Sequence, residues 1–153
     1  MYMIQGKWFP PGEDLSALIP VRESVFGRGS DTLDASSWNV LVYQDSLPVA
    51  TGRIWWQDGT FRIGDIAVSA PYRRQRLGDL VLRLLLFKAQ SHAAREVRLR
   101  SPRDVTGFFS RLGLQEEPSG DADIVEMMIP GELIDLDSCK RCPKQGCPNR
   151  QPG

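Results

Sequence analysis

The stretch from Ile63 to Gln90, IGDIAVSAPYRRQRLGDLVLRLLLFKAQ, decides how this chain folds. Ile63, Ile66, Ala67 and Val68 predict a short strand, because branched apolar residues fit a pleated, half-buried surface. Pro71 ends it, since proline offers no N–H to a sheet ladder. Arg73-Arg74-Gln75-Arg76-Leu77-Gly78 follows as a basic turn, and Leu80 to Ala89 has the length and residue types of a helix.

A helix start leaves backbone N–H groups without intrahelical partners and carries the positive end of the helix dipole. Such an end suits phosphate. Gly78 has no Cβ, so a ligand or a neighbouring chain can approach the backbone closely. Arg73, Arg74 and Arg76 add fixed positive charge at the same turn. The turn therefore reads as a candidate diphosphate cradle.

The same residues resemble the GNAT superfamily of acyl-CoA-dependent N-acetyltransferases. Its central motif runs Arg/Gln-x-x-Gly-x-Gly/Ala, preceded by Val-x-x-x-Tyr-Arg, and Val68, Tyr72, Arg73 and Gly78 match it. Arg76 stands where the family usually has glycine. A later stretch resembles the family's Ala-x-x-Phe-Tyr-x-x-x-Gly-Phe: Phe108 and Gly113 match directly, with Val105, Phe109 and Leu114 at the Ala, Tyr and final Phe positions. Arg22 to Phe26 is similar to the Arg-x-x-Val-Phe of some small bacterial members. The resemblance spans about Leu15 to Ile129.

Composition agrees with one soluble domain. A chain of 153 residues can bury a substantial core, and 41% hydrophobic with 25% charged residues is ordinary for a globular protein. Nineteen basic residues balance nineteen acidic ones, so no global field draws the chain to nucleic acid or to an anionic membrane. The longest apolar runs are far too short to span a bilayer, and the N-terminus lacks the pattern of a signal peptide. A cytoplasmic location is the expectation. A division into residues 1–133, the catalytic-type domain, and residues 134–153, a Cys-containing tail, is expected.

The elements follow in order. Tyr2 to Trp8 reads as a strand and Leu15 to Phe26 as an amphipathic helix, with Pro20 marking a kink or the true start. In the family this region covers part of the acceptor site; the plainer reading packs the helix on the sheet and leaves Arg22 and Glu23 in solvent. Asp31 to Ser37 reads as polar loop. Trp38 to Gln44 and Val49 to Trp56 form a hairpin across Asp45-Ser46-Leu47-Pro48, and Gln57-Asp58-Gly59-Thr60 turns the chain into the Ile63 strand. Trp55 and Trp56 point to opposite faces. Beyond the long helix come a strand at Val97 to Arg100, a helix at Asp104 to Leu112 with Asp104 able to cap it, and a strand at Ala122 to Ile129. The expected fold is a single α/β domain, a mixed and mostly antiparallel sheet flanked by helices on both faces.

The resemblance implies that acetyl-CoA lies with its pantetheine arm along the backbone of Ile66, Ala67 and Val68, where an N–H would polarise the thioester oxygen. It places the pyrophosphate on Arg73, Arg74, Gln75, Arg76, Leu77, Gly78 and Asp79. The expected reaction is transfer of an acetyl group to a primary amine, small-molecule or peptide, by direct attack in a ternary complex. Asp65 is the candidate general base, acting directly or through water. Phe109 cannot donate the proton that many family members supply from tyrosine, which leaves Tyr72 as a substitute acid. His92 reads as a surface residue. A homodimer is left open.

Cys139, Cys142 and Cys147 form a Cys-x-x-Cys with a third cysteine five residues on. Three thiolates in this spacing are candidate zinc ligands, although structural zinc usually takes four. A reduced, unliganded tail is the plainer reading. The alternative function is accordingly a non-catalytic acyl-CoA-binding or regulatory module with a metal-binding tail.

Overall fold

The computed structural model describes residues 3–118, 120 and 122–136. Strands β1 (Ile4–Phe9), β2 (Ser37–Gln44), β3 (Leu47–Gln57), β4 (Thr60–Val68), β5 (Glu96–Pro102), β6 (Gln115–Glu117) and β7 (Ile124–Pro130) form one sheet in the order β1-β2-β3-β4-β5-β7-β6. Neighbours are antiparallel except β4 and β5, which run parallel. Helix α2 (Leu77–Ser91) is the crossover between that parallel pair, the long connection such pairs require. Among the described residues the other α-helices are α1 (Ile19–Phe26) and α3 (Thr106–Ser110).

Both hairpins form. The second turns at Asp58-Gly59 as expected, whereas the first is tighter than expected, a two-residue turn at Asp45-Ser46 with Leu47 and Pro48 already in β3 and paired with Gln44 and Tyr43. Asp45 and Ser46 lie at φ 50° and 73°, and Asp58 and Gly59 at 52° and 81°, left-handed backbone at both central positions. That twist matches the twist of the strands they join. Alternation along β3 puts Ala50, Gly52 and Ile54 beneath α2, where a Cβ on Gly52 would lie 2.7 Å from Val81. Its bareness lets the helix settle close to the sheet. Val81, Leu82, Leu85, Leu86 and Ala89 from α2 then join Val40, Val42, Ile63, Val97, Leu99, Met127 and Ile129 in the main core. On the opposite face Leu18 and Val21 pack on Leu41, Ala67 and Phe9.

Some elements differ from expectation. Helix α1 starts at Ile19, and Leu15 to Leu18 is a turn with Leu18 N–H donating to Leu15 C=O at 3.0 Å. Pro20 suits a first turn but cannot extend the ladder backwards, so it marks the start. The stretch expected as loop, Thr32–Ser36, is a 3₁₀ turn closed by a capping box between Asp31 and Asp34. The helix expected over Asp104 to Leu112 is shorter and begins as a 3₁₀ turn, Arg103–Val105, without a capping bond from Asp104. Strand β6 was not expected, because three polar residues carry no period of their own. Among the described residues no helix is long and apolar enough to cross a membrane.

Candidate active site

Strands β4 and β5 pair only at Phe61–Val97 and Arg62–Arg98. Beyond that point they diverge, and among the described residues no strand pairs with Ile63 to Val68 on the β5 side. The split opens toward the start of α2. There a Cβ added to Gly78 would lie 3.4 Å from the Phe108 ring and 3.6 Å from Val68 Cγ2, so β4, α2 and α3 converge on this one glycine. Ile66 and Val68 turn to the α2 face, while Ala67 turns to the α1 face. The cleft thus has an apolar wall, an unpaired strand edge and a helix N-terminus at its mouth.

The basic turn lies at that mouth. Arg73, Arg74, Gln75 and Arg76 are exposed. Arg73 Nε donates to Val68 C=O at 3.0 Å, which ties the turn to the strand exit. Arg74 and Arg76 both occupy left-handed backbone, at φ 66° and 63°. Arg76 is the residue immediately before α2, so its departure from glycine falls at a position whose backbone favours glycine. Leu77 is buried in the core, and Asp79 pairs with Arg83 at 2.8 Å one turn on. The exposed arginines, the backbone of Arg76 to Asp79 and the bare Gly78 are therefore the parts of this segment available to an anionic diphosphate.

On the other face, β4 carries a bulge. The register with β3 steps from Thr51–Ala67 to Arg53–Gly64, and Asp65 within it takes φ 54°. A bulge re-aims a side chain, and here it directs Asp65 into a knot of arginines. Arg28 donates to both of its oxygens, Nη2 to Oδ1 at 2.6 Å and Nη1 to Oδ2 at 3.0 Å. Arg53 Nη2 lies 3.1 Å and Arg22 Nε 3.7 Å from Oδ2. The candidate base is thus held by three guanidinium groups.

The knot extends further. Arg22, fully buried on α1, donates to Asp34 at 2.8 Å and to Asn39 at 2.7 Å. Burial of Arg22 departs from the expectation of a solvated side chain, because Asp34 and Asn39 supply its partners; Glu23 is exposed as expected. Arg53 donates to Asp31 at 2.6 Å and to Asp34 at 3.1 Å. The Arg53 hydrogen bonds hold the Asp31 carboxyl down at about 2. Burial opposes ionisation of Asp34, yet hydrogen bonds from Arg22 and from the Asp31 backbone hold it below the usual carboxylate range. Arg28, Asp34, Asn39 and Arg53 had no place in the sequence reading. The legible traces were the Asp31-x-x-Asp34 spacing and a charged residue, Arg53, inside a largely apolar strand.

Other candidates take plainer positions. Tyr72 sits in a 3₁₀ turn and packs against the main core. Phe109 meets Phe108 edge to face, centroids 4.9 Å apart. His92 is exposed at the end of α2, with ring contacts to Trp38 and Phe61. Beside it Lys88 lies 3.5 Å above Trp38 and 4.9 Å from Trp8, and burial lowers its pKa. Cys139, Cys142 and Cys147 lie outside the described residues. Among those described, no group of three or more His, Cys, Asp and Glu side chains is placed to hold a metal.

A further polar cleft of about 590 Å³ lies near the closed end of the β4–β5 split, where Arg62, Arg98, Glu96 and Glu126 line it. Arg62 donates to both Glu126 oxygens, at 3.0 and 3.1 Å. Partial burial works against it, but Arg62 and Arg98 hold Glu126 below its usual range.

Comparison with known proteins places this geometry. The model of the acetyltransferase (GNAT) family matches residues 7–114. The chain belongs to the GNAT family. Among solved structures, an acyl-CoA N-acyltransferase from Pseudomonas aeruginosa superposes with a TM-score of 0.74 at 19% identity, covering 82% of this chain and 99% of that one. Escherichia coli ElaA superposes at 0.70 with 21% identity and the same two coverages. The Thermoplasma acidophilum PaiA N-acetyltransferase, solved in complex with coenzyme A, superposes at 0.67 with 14% identity, covering 84% of this chain and 99% of that one. At such identities these likenesses show the shared fold. An uncharacterized Bacillus subtilis protein, YyaT, is 29% identical over 85 residues, 56% of this chain. The match spans 57% of that relative's length.

Proposed function

We propose that this protein transfers an acetyl group from acetyl-CoA to a primary amine, small-molecule or peptide, by direct attack in a ternary complex. The observation that carries the reading is the split between β4 and β5, which ends at the bare Gly78 and the N-terminus of α2. It supports a pantetheine arm running along Ile66 to Val68 as an added strand, with a backbone N–H polarising the thioester carbonyl. Arg73, Arg74, Arg76 and the start of α2 would hold the pyrophosphate.

Acetyl-CoA, when bound, supplies a carbonyl carbon and a stable leaving thiolate. The amine nitrogen bonds to that carbon as the carbon–sulfur bond breaks. The nitrogen's proton passes to Asp65, directly or through a water, and the thiolate takes its proton from water or from Tyr72. Asp65 can accept a proton only after Arg28 has moved from its oxygens. The second reading, a non-catalytic acyl-CoA-binding module, draws on that occupied carboxylate and on Phe109 in place of tyrosine.

Mass spectrometry on the protein with acetyl-CoA and a panel of primary amines separates the two readings. An acetylated amine that requires the protein is expected. Asp65→Asn is expected to lower the rate by about 10²-fold while acetyl-CoA affinity stays the same. An unchanged rate removes Asp65 from the mechanism, and no acetylated product with any amine favours the binding module.

A further inference from the structure

The arginine knot contains one member unlike the others. Asp31, Asp34 and Asp65 bring three negative charges, and Arg22 and Arg53 bring two positive ones, their side chains 0% and 4% exposed. One carboxylate is left over, and Arg28 neutralises it. The Arg28 side chain is 47% exposed, whereas Asp65 is 10% exposed. Arg28 directly follows Gly27, the left-handed stop of α1 at φ 71°, so it hangs from a turn rather than from a packed element.

Arg28 also covers the two groups that recognise cations. Its guanidinium lies 5.3 Å over the Phe26 ring and bridges both Asp65 oxygens. An aromatic face beside a buried carboxylate attracts an alkylammonium or a guanidinium. Asp65 lies within Ile63 to Val68, the unpaired strand edge of the cleft, and immediately precedes Ile66. Its left-handed backbone in mid-strand is a strained conformation of the kind kept where a side chain must be aimed.

We propose that Arg28 is a specificity-determining gate: it occupies the place of the acceptor's cation, and a positively charged amine enters by displacing it from Asp65 and Phe26. This rests on the acetyltransferase reading and adds the acceptor class, amines that arrive as cations, with neutral or acidic acceptors disfavoured. The displaced guanidinium swings into solvent about Gly27, while Arg22 and Arg53 stay in place and keep the remaining two carboxylates paired.

The test has a binding arm that needs no turnover. Methylguanidinium chloride is titrated into the wild type, Arg28→Ala and Arg28→Ala/Asp65→Asn, followed by ¹H–¹⁵N NMR, with tetramethylammonium chloride as the ionic control. Saturable millimolar binding to Arg28→Ala, at least tenfold tighter than to the wild type and lost in the double variant, is expected. Equal binding to all three proteins overturns the gate, and Arg28 is then an ordinary surface pair. Arg28→Gln serves as a second variant if the alanine protein fails to fold. The kinetic arm uses 1,5-diaminopentane: its half-saturation is expected to fall about tenfold in Arg28→Ala, with acetyl-CoA half-saturation unchanged and methylguanidinium competing with the amine alone. A rise in diamine half-saturation overturns the gate. Failure of acetylation in every variant counts against the acetyltransferase reading, and the binding arm still decides whether Arg28 covers a cation site.

Discussion

Arg76 carries its departure from the family pattern at an informative point. A side chain at φ 63° crowds the following carbonyl, a cost of roughly 1–2 kcal/mol that glycine does not meet. Glycine in turn gives the unfolded chain more freedom, which offsets part of the gain. Arg76→Gly is therefore expected to stabilise the protein by about 0.5–1 kcal/mol, read from the midpoint of urea unfolding. A loss of stability would mean that the Arg76 side chain makes a contact worth more than the backbone strain. Sequence could flag the residue as unusual. The reason is the left-handed φ before a helix start, which only coordinates display.

At the scale of elements, α1 is held to the sheet by charge as much as by apolar contact. Leu18 and Val21 bury an apolar stripe, but the fully buried Arg22 between them and Phe26 depends on Asp34 and Asn39. Removing one partner of a buried pair leaves the other charge desolvated, at a cost of about 3–5 kcal/mol. Arg22→Leu is expected to lose that much by chemical denaturation, far more than an exposed helix arginine would. A change below about 1 kcal/mol would contradict the pairing. Helical periodicity could not reveal this. Arg22 falls at a position that either faces solvent or meets partners 12, 17 and 43 residues away, namely Asp34, Asn39 and Asp65. Strands β2 to β4 and helix α2 were legible because an Asp-Gly turn, period-two alternation and a long apolar helix are local signals. Strand β6 and the 3₁₀ turns lack such signals.

Across the whole molecule, net charge is zero, yet acidic groups are concentrated where arginines hold them ionised. Asp31 sits at about 2 against an ordinary value of 3.8, so the folded state favours the ionised form. Its contribution is complete above pH 4 and disappears as pH falls through about 2. Asp31 is more than a third exposed, so this single group contributes about 1 kcal/mol or less after solvent screening. Asp34 and Glu126, also depressed, act in the same direction. The melting temperature is expected to be flat from pH 7 to 5 and to drop steeply below pH 4; Asp31→Asn lowers the plateau and flattens the acid limb. A melting temperature that rises on acidification would contradict the linkage.

The cleft between β4 and β5 is the feature on which the functional account depends, and calorimetric titration with acetyl-CoA tests it most directly. The wild type is expected to bind one equivalent with micromolar affinity, and free CoA with comparable strength. Gly78→Leu is expected to fold, to place its side chain against Phe108 and Val68, and to lose that binding. An absence of heat with either ligand, or a Gly78→Leu protein that binds as the wild type does, would contradict the assignment of this cleft to acyl-CoA.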